Sequence, residues 1–128
     1  MRHTTPEQID IPPELQKRID AFREEHADDA IGDVASTVIF EDDKVRIWEM
    51  TLEPGEASDL HHHGHDYYLA ILSGDLVAAV HRKGEGEPAL FRMPSEGNTV
   101  GVSKGGTEWA LNLGKETYHE ILFELKNT

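Results

Sequence analysis

The sequence predicts an all-β barrel or sandwich preceded by one short helix. Three observations carry this. From about residue 35 the apolar residues come in short β-branched and aromatic runs, punctuated by Gly, Pro and Asp turn signals at regular intervals. Before that point a single segment, 12–26, has its apolar residues at helical spacing. The chain has 128 residues and no cysteine. That is enough for one domain with its own core, and it excludes a disulfide framework, a thiolate zinc site and a cysteine nucleophile.

The first ten residues are polar and read as loose. Pro12 and Pro13 stand where a helix tolerates proline, in its first turn, and Glu14 suits the positive end of the helix dipole. Leu15, Ile19 and Phe22 then form a one-sided stripe running to Glu25 or His26. So short a helix must dock its stripe on the main domain or on a partner subunit. After Ile31-Gly32 the strands begin: Thr37–Glu41, Lys44–Glu53, one or two within His61–Ser73, then Leu76–Arg82, Ala89–Met93, Asn98–Ser103, Thr107–Leu113 and Thr117–Leu125. Pro54-Gly55, Gly74-Asp75, the loop 83–88, Pro94 and Lys104-Gly105-Gly106 separate them. The expected organisation is an N-terminal extension with an amphipathic helix over 1–34 and a barrel domain over 35–128.

Charge narrows the function. The chain carries 12 Lys and Arg against 25 Asp and Glu, a formal net charge of −13. Such a surface repels phosphate backbones and anionic lipid, so neither a nucleic acid nor a membrane is an expected partner. No apolar run approaches the ~20 residues of a membrane span, and Met1–Asp20 has no apolar signal-peptide core. A cytoplasmic location is the resulting expectation. The phosphate loop Gly-x-x-x-x-Gly-Lys-Ser/Thr, the Gly-x-Ser-x-Gly elbow and His-Glu-x-x-His are all absent.

The sharpest feature is His61-His62-His63-Gly64-His65-Asp66, four imidazoles in five positions. In a strand, alternate side chains share a face, so His61 and His63 point together and His62 points away. Two neutral imidazoles on one face are half a metal site. Trp48, Met50 and Leu52 alternate on one face of their strand and read as core or as the wall of a pocket. His119 shares parity with Ile121, Phe123 and Leu125, which places it toward the interior beside that pocket. Trp109 lies on the opposite face from Glu108 and reads as packing between sheets or subunits.

The spacing around the histidines resembles a known family. Gly55, His61, His63, Tyr67 and Gly74 reproduce the first cupin motif, Gly-x5-His-x-His-x3-Glu-x6-Gly, with Tyr67 in the glutamate position. Gly97, Ser103, Gly105, Glu108 and Asn112 follow the second, Gly-x5-Pro-x-Gly-x2-His-x3-Asn, with Ser103 for proline and Glu108 for histidine. The motifs span Gly55–Asn112. The segment 61–68 is similar to the small cupins associated with β-alanine degradation.

The resemblance implies a double-stranded β-helix, a jelly-roll barrel, with one divalent metal inside and often a dimer. Carried over by position, the candidate ligands are His61, His63 and Glu108, with His65 in reserve. This set suits Fe, Mn, Ni or Zn. Glu108 could instead recognise a cationic or hydroxylated ligand. Tyr67 is a poor ligand as a neutral phenol and is the candidate catalytic proton donor. The expected function is a metal-dependent dioxygenase, isomerase or lyase acting on a small organic acid. The alternative is a non-catalytic small-molecule-binding cupin. Arg46 and Arg92 are candidate partners for a substrate carboxylate, and a homodimer is the expected assembly.

Overall fold

Pro12 caps the helix in an extended conformation and Pro13 occupies its first turn, where a missing N–H costs no helical bond. Helix α1 therefore runs Pro13–Glu25. The structure is a computed structural model and describes residues 4–93 and 98–128. Ile19 is buried, and Leu15 and Phe22 pack beside it against Leu60, Ala78, Val80, Leu90, Trp109 and Leu111. The stripe thus docks on the chain's own barrel. Arg23 fastens the last turn, donating to the carbonyls of His81 (2.9 Å) and Gly86 (2.8 Å).

Among the described residues, ten strands follow the expected segmentation, with one addition. They are β1 Glu7–Ile9, β2 Thr37–Glu41, β3 Val45–Leu52, β4 His61–His62, β5 Tyr67–Ser73, β6 Leu76–Val80, β7 Ala89–Arg92, β8 Thr99–Val102, β9 Thr107–Asn112 and β10 Tyr118–Leu125. One sheet has the order β1-β7-β6-β9-β4 and the other β2-β3-β10-β5-β8, with every strand pair antiparallel. The chain crosses repeatedly from one sheet to the other, as a double-stranded β-helix requires. The addition is β1. Residues 7–9 were expected to be loose, yet they pair with β7, and Arg92 closes an ion pair on Glu7. The extension therefore supplies an edge strand of the first sheet as well as the helix.

Two cores result. Between the sheets lie Met50, Leu52, Tyr67, Ile71, Val77, Tyr118 and Leu122. Outside the first sheet lies the cluster beneath α1.

Two motif glycines have conformational reasons. Gly55 adopts φ +88° and Gly74 φ +127°, which side chains resist, and a Cβ on Gly74 would sit 2.9 Å from the Tyr118 ring. Asn112, which ends the second motif, is fully buried. It donates to the carbonyls of Leu52 and Glu116 and accepts from the Gly114 N–H, tying the β9–β10 turn to β3. Gly97 of that motif lies outside the described residues.

The parity of β10 is the reverse of the sequence expectation. Its buried face is Tyr118, Glu120, Leu122 and Glu124, and its half-buried outer face is His119, Ile121, Phe123 and Leu125. Hydrophobicity favours the second set for the interior. The first set goes inside because both acids find donors there: Tyr118 Oη bonds Glu120 at 2.6 Å and Trp48 Nε1 bonds Glu124 at 2.5 Å.

Candidate metal centre

Strand pairing assembles the centre. In the antiparallel β4–β9 ladder His61 stands directly opposite Glu108, and residues opposite each other share a face. The ladder continues past β4: the His63 N–H bonds the Gly106 carbonyl at 2.9 Å and the Gly105 N–H bonds the His63 carbonyl at 2.8 Å. His63 therefore joins His61 and Glu108 on the inner face. One ligand atom from each of the three lies within 4.8 Å of the others. Opposite ligands with bonds of about 2.1 Å are ~4 Å apart, so the triad is close to coordination spacing.

The imidazoles are prepared as ligands. His61 Nδ1 lies 2.8 Å from the Asp59 carbonyl, which can only accept, so Nδ1 carries the proton and Nε2 the free lone pair. Ser58 Oγ sits 3.3 Å from the same nitrogen and accepts the Ala110 N–H, linking the ring to β9. Burial lowers the pKa of His61, and it brings that of His63 down to about 3, aided by the neighbouring His61. Both rings are therefore neutral at pH 7. His63 Nδ1 is buried without a hydrogen-bond partner. Such an orphan nitrogen is costly unless something coordinates or bonds the ring. Two neutral imidazoles, one with an unsatisfied nitrogen, beside a carboxylate are a donor set that fits a divalent metal.

Tyr67 enters from the other sheet. Its ring stacks on His63 at a centroid separation of 3.9 Å and 16°. Burial, with Glu108 and Glu120 nearby, raises its phenol pKa, so it stays protonated. It thus holds the position where the motif has a carboxylate, as a neutral phenol stacked on one member of the triad. Beside these groups opens a cavity of about 410 Å³. Its walls are mostly apolar and include Met50, Leu69, Ile71, Val77, Phe91 and Leu122.

The remaining expectations divide. Met50 lines the cavity, whereas Trp48 is core outside it and donates to Glu124. His119 does not reach the cavity. It faces outward and pairs with Glu49 at 2.8 Å, because β10 turns its acids inward. His65 is not among the clustered ligand atoms, although its Nδ1 is also buried and unpartnered. Arg46 pairs with Glu41 and Glu124, and Arg92 with Glu7, so neither guanidinium lines the cavity. Trp109 packs edge-on against Phe22 of α1, which makes it a sheet-to-helix contact within one chain.

Sequence reasoning missed Glu120 and Tyr118, which both line the cavity. Glu120 is buried, and desolvation brings its pKa up to about 7. The only signal was the alternation of two acids with Tyr118 and Leu122 along β10, which a more apolar opposite face outweighed.

No family model and no curated protein matches the chain. Solved structures do. A cupin domain from Bordetella pertussis shares 17% identity over 74% of this chain and 99% of its own, with a TM-score of 0.60. A double-stranded β-helix domain protein from Klebsiella pneumoniae shares 20% over 81% and 86%, with a TM-score of 0.56. Bacillus subtilis oxalate decarboxylase, whose structure concerns its Mn(II) centres, shares 20% identity and a TM-score of 0.52 over 66% of this chain but only 22% of its own. The architecture described above is therefore the cupin double-stranded β-helix.

Proposed function

We propose that this cupin-fold chain is a metal-dependent enzyme that holds one divalent ion at His61, His63 and Glu108 and transforms a small organic metabolite in the adjoining cavity. The convergence of two neutral imidazoles and a carboxylate at the mouth of an apolar cavity supports this reading. An oxalate decarboxylase of the same fold has Mn(II) centres, which favours manganese or a chemically similar ion here.

When bound, the ion supplies Lewis acidity, and a redox-active one adds electron-transfer capacity. The chain's own residues do the rest. The Asp59 carbonyl and Ser58 hold the His61 ring in one tautomer and orientation. The apolar walls exclude water, which strengthens every polar interaction inside. Tyr67 keeps its proton on the phenolic oxygen in the cavity lining, which suits it to hydrogen-bond a substrate oxygen and to give the proton up only to a strongly basic atom. Dioxygenation, isomerisation and lyase chemistry can each use this combination.

The stacking of Tyr67 on His63, where the motif calls for a fourth ligand, favours a second reading: a metal-bearing module that binds its ligand without turnover. One experiment separates the two. Mn(II) is titrated into untagged protein and followed by electron paramagnetic resonance, and the loaded protein is then screened for oxygen uptake and product formation. One site per chain, lost in Glu108→Gln, together with turnover, supports the enzyme. Binding without turnover supports the module, and no bound Mn(II) overturns both.

We also propose a homodimer formed through the outer face of the β2-β3-β10-β5-β8 sheet. Phe40, Tyr68 and Leu72 stand 52%, 53% and 61% exposed there, beside Ile47, Ile121 and Phe123. A contiguous apolar surface on so acidic a chain is the mark of an interface.

A further inference from the structure

The cavity carries two carboxylates, Glu108 and Glu120, and among the described residues that line it there is no lysine or arginine. The guanidinium groups expected to serve a substrate carboxylate are engaged elsewhere: Arg46 with Glu41 and Glu124, Arg92 with Glu7. Glu120 stands on β10, in the sheet opposite His61 and Glu108, and the Tyr118 hydroxyl donates to its Oε1 at 2.6 Å. Tyr67 and Tyr118 stay protonated through burial and add no charge. His61 and His63 are neutral. The charge count is therefore short. Above about pH 7, where Glu120 has given up its proton, one divalent ion and two carboxylates sum to zero, and the third lining imidazole, His81, is tied through Nδ1 to the Thr107 carbonyl, so no permanent cation is left for an anionic ligand. In an apolar cavity an unneutralised charge is strongly disfavoured.

We infer that the cavity selects an uncharged, mostly hydrocarbon ligand bearing a hydroxyl or carbonyl group, that it rejects free carboxylates and phosphates, and that Glu120 sets this preference. The inference deepens the proposed function and takes its charge balance from the ion placed there. Without the ion, the two acids repel an anion above about pH 7, so the preference for a neutral ligand persists there. The ligand's polar group has two partners of the right kind, the triad side and the Glu120–Tyr118 pair. Its hydrocarbon body has walls such as Met50, Ile71 and Phe91. Replacing Glu120 by Gln keeps shape and the acceptor for Tyr118, and above about pH 7 it removes one negative charge.

The test uses full-length protein at about pH 8, above the Glu120 pKa of about 7, both zinc-loaded and chelator-treated, with metal content measured on the same samples. Cyclohexanol and cyclohexanecarboxylate, equal in ring size, are the probes, and affinities are read by ligand-observed NMR. We expect cyclohexanol to bind at least about tenfold more tightly than the carboxylate in both forms of the wild type. In zinc-loaded Glu120→Gln the carboxylate should gain about tenfold while cyclohexanol changes by less than about threefold. Equal or tighter binding of the carboxylate to the wild type overturns the inference. So does a preference that Glu120→Gln leaves unchanged, or failure of both probes to bind at millimolar concentration. If the variant does not fold, the wild-type ratio decides alone. A chain that takes up no zinc fails the metal reading, and the chelator-treated ratio then still tests the ligand preference.

Discussion

Glu120 is the residue whose energetics reach furthest. Its carboxyl holds a proton up to about pH 7 in the folded chain, against an ordinary value of 4.5, because burial penalises the charged form and Glu108 adds repulsion. A raised pKa contributes stability that is full below the unfolded value and is lost as pH rises through the folded one. In chelator-treated protein this term therefore disappears between about pH 4.5 and about pH 7, a swing of roughly 3 kcal/mol. Glu120→Gln should be more stable than the wild type at about pH 8, and the difference should shrink toward zero near pH 5 in denaturant unfolding at each pH. A variant less stable at every pH would contradict this. The same residue shows where the sequence was legible and where it was not. His61 and His63 could be read together from strand periodicity and motif spacing, and Glu108 from its position in the second motif alone. Glu120 could not, because Ile121, Phe123 and Leu125 make the opposite face of β10 the more apolar one, and His119 was assigned inward with them. Only the pairing of the two acids with Tyr118 and Trp48 reverses that choice, and the Trp48–Glu124 bond joins residues 76 positions apart, on different strands.

Helix α1 and strand β1 complete the first sheet in two ways, the helix by covering its outer face and the strand by joining its edge. The helix could be read from the Leu15, Ile19 and Phe22 stripe and from its two leading prolines. Strand β1 could not, since Glu7–Ile9 is three residues long and two of them are polar. Its pairing comes from β7, which offers an unfilled edge, and from the Arg92–Glu7 ion pair. Ile19 sits at the centre of the contact, fully buried beneath the helix. Ile19→Ala should cost about 2–5 kcal/mol in denaturant unfolding, as large-to-small changes in a packed core do. A loss well under 1 kcal/mol would mean that the helix is not held against the sheet as described. Arg23→Ala removes two hydrogen bonds to the carbonyls of His81 and Gly86, and a smaller loss of about 1–2 kcal/mol is expected by the same measurement.

At the scale of the whole molecule, the two sheets have different outer faces. The first sheet is covered by α1. The second leaves Phe40, Tyr68 and Leu72 in the open, and the outward apolar half of β10 lies between Phe40 on β2 and Tyr68 and Leu72 on β5. The helix had been one argument for a partner, and its docking within the chain moves that argument to the second sheet. Sedimentation at micromolar concentration should show a dimer, and Tyr68→Glu/Leu72→Glu should give a folded monomer with the triad intact. A monomeric wild type would contradict the proposed assembly. Both sheets converge on one claim, that the barrel brings His61, His63 and Glu108 together to hold a metal. The most direct test is elemental analysis of untagged protein beside a His61→Ala/His63→Ala double variant. The account predicts near one equivalent of manganese, iron, nickel or zinc per chain in the wild type and its loss in the variant. An unmetallated wild type after anaerobic reconstitution, or equal metal in both proteins, would contradict it.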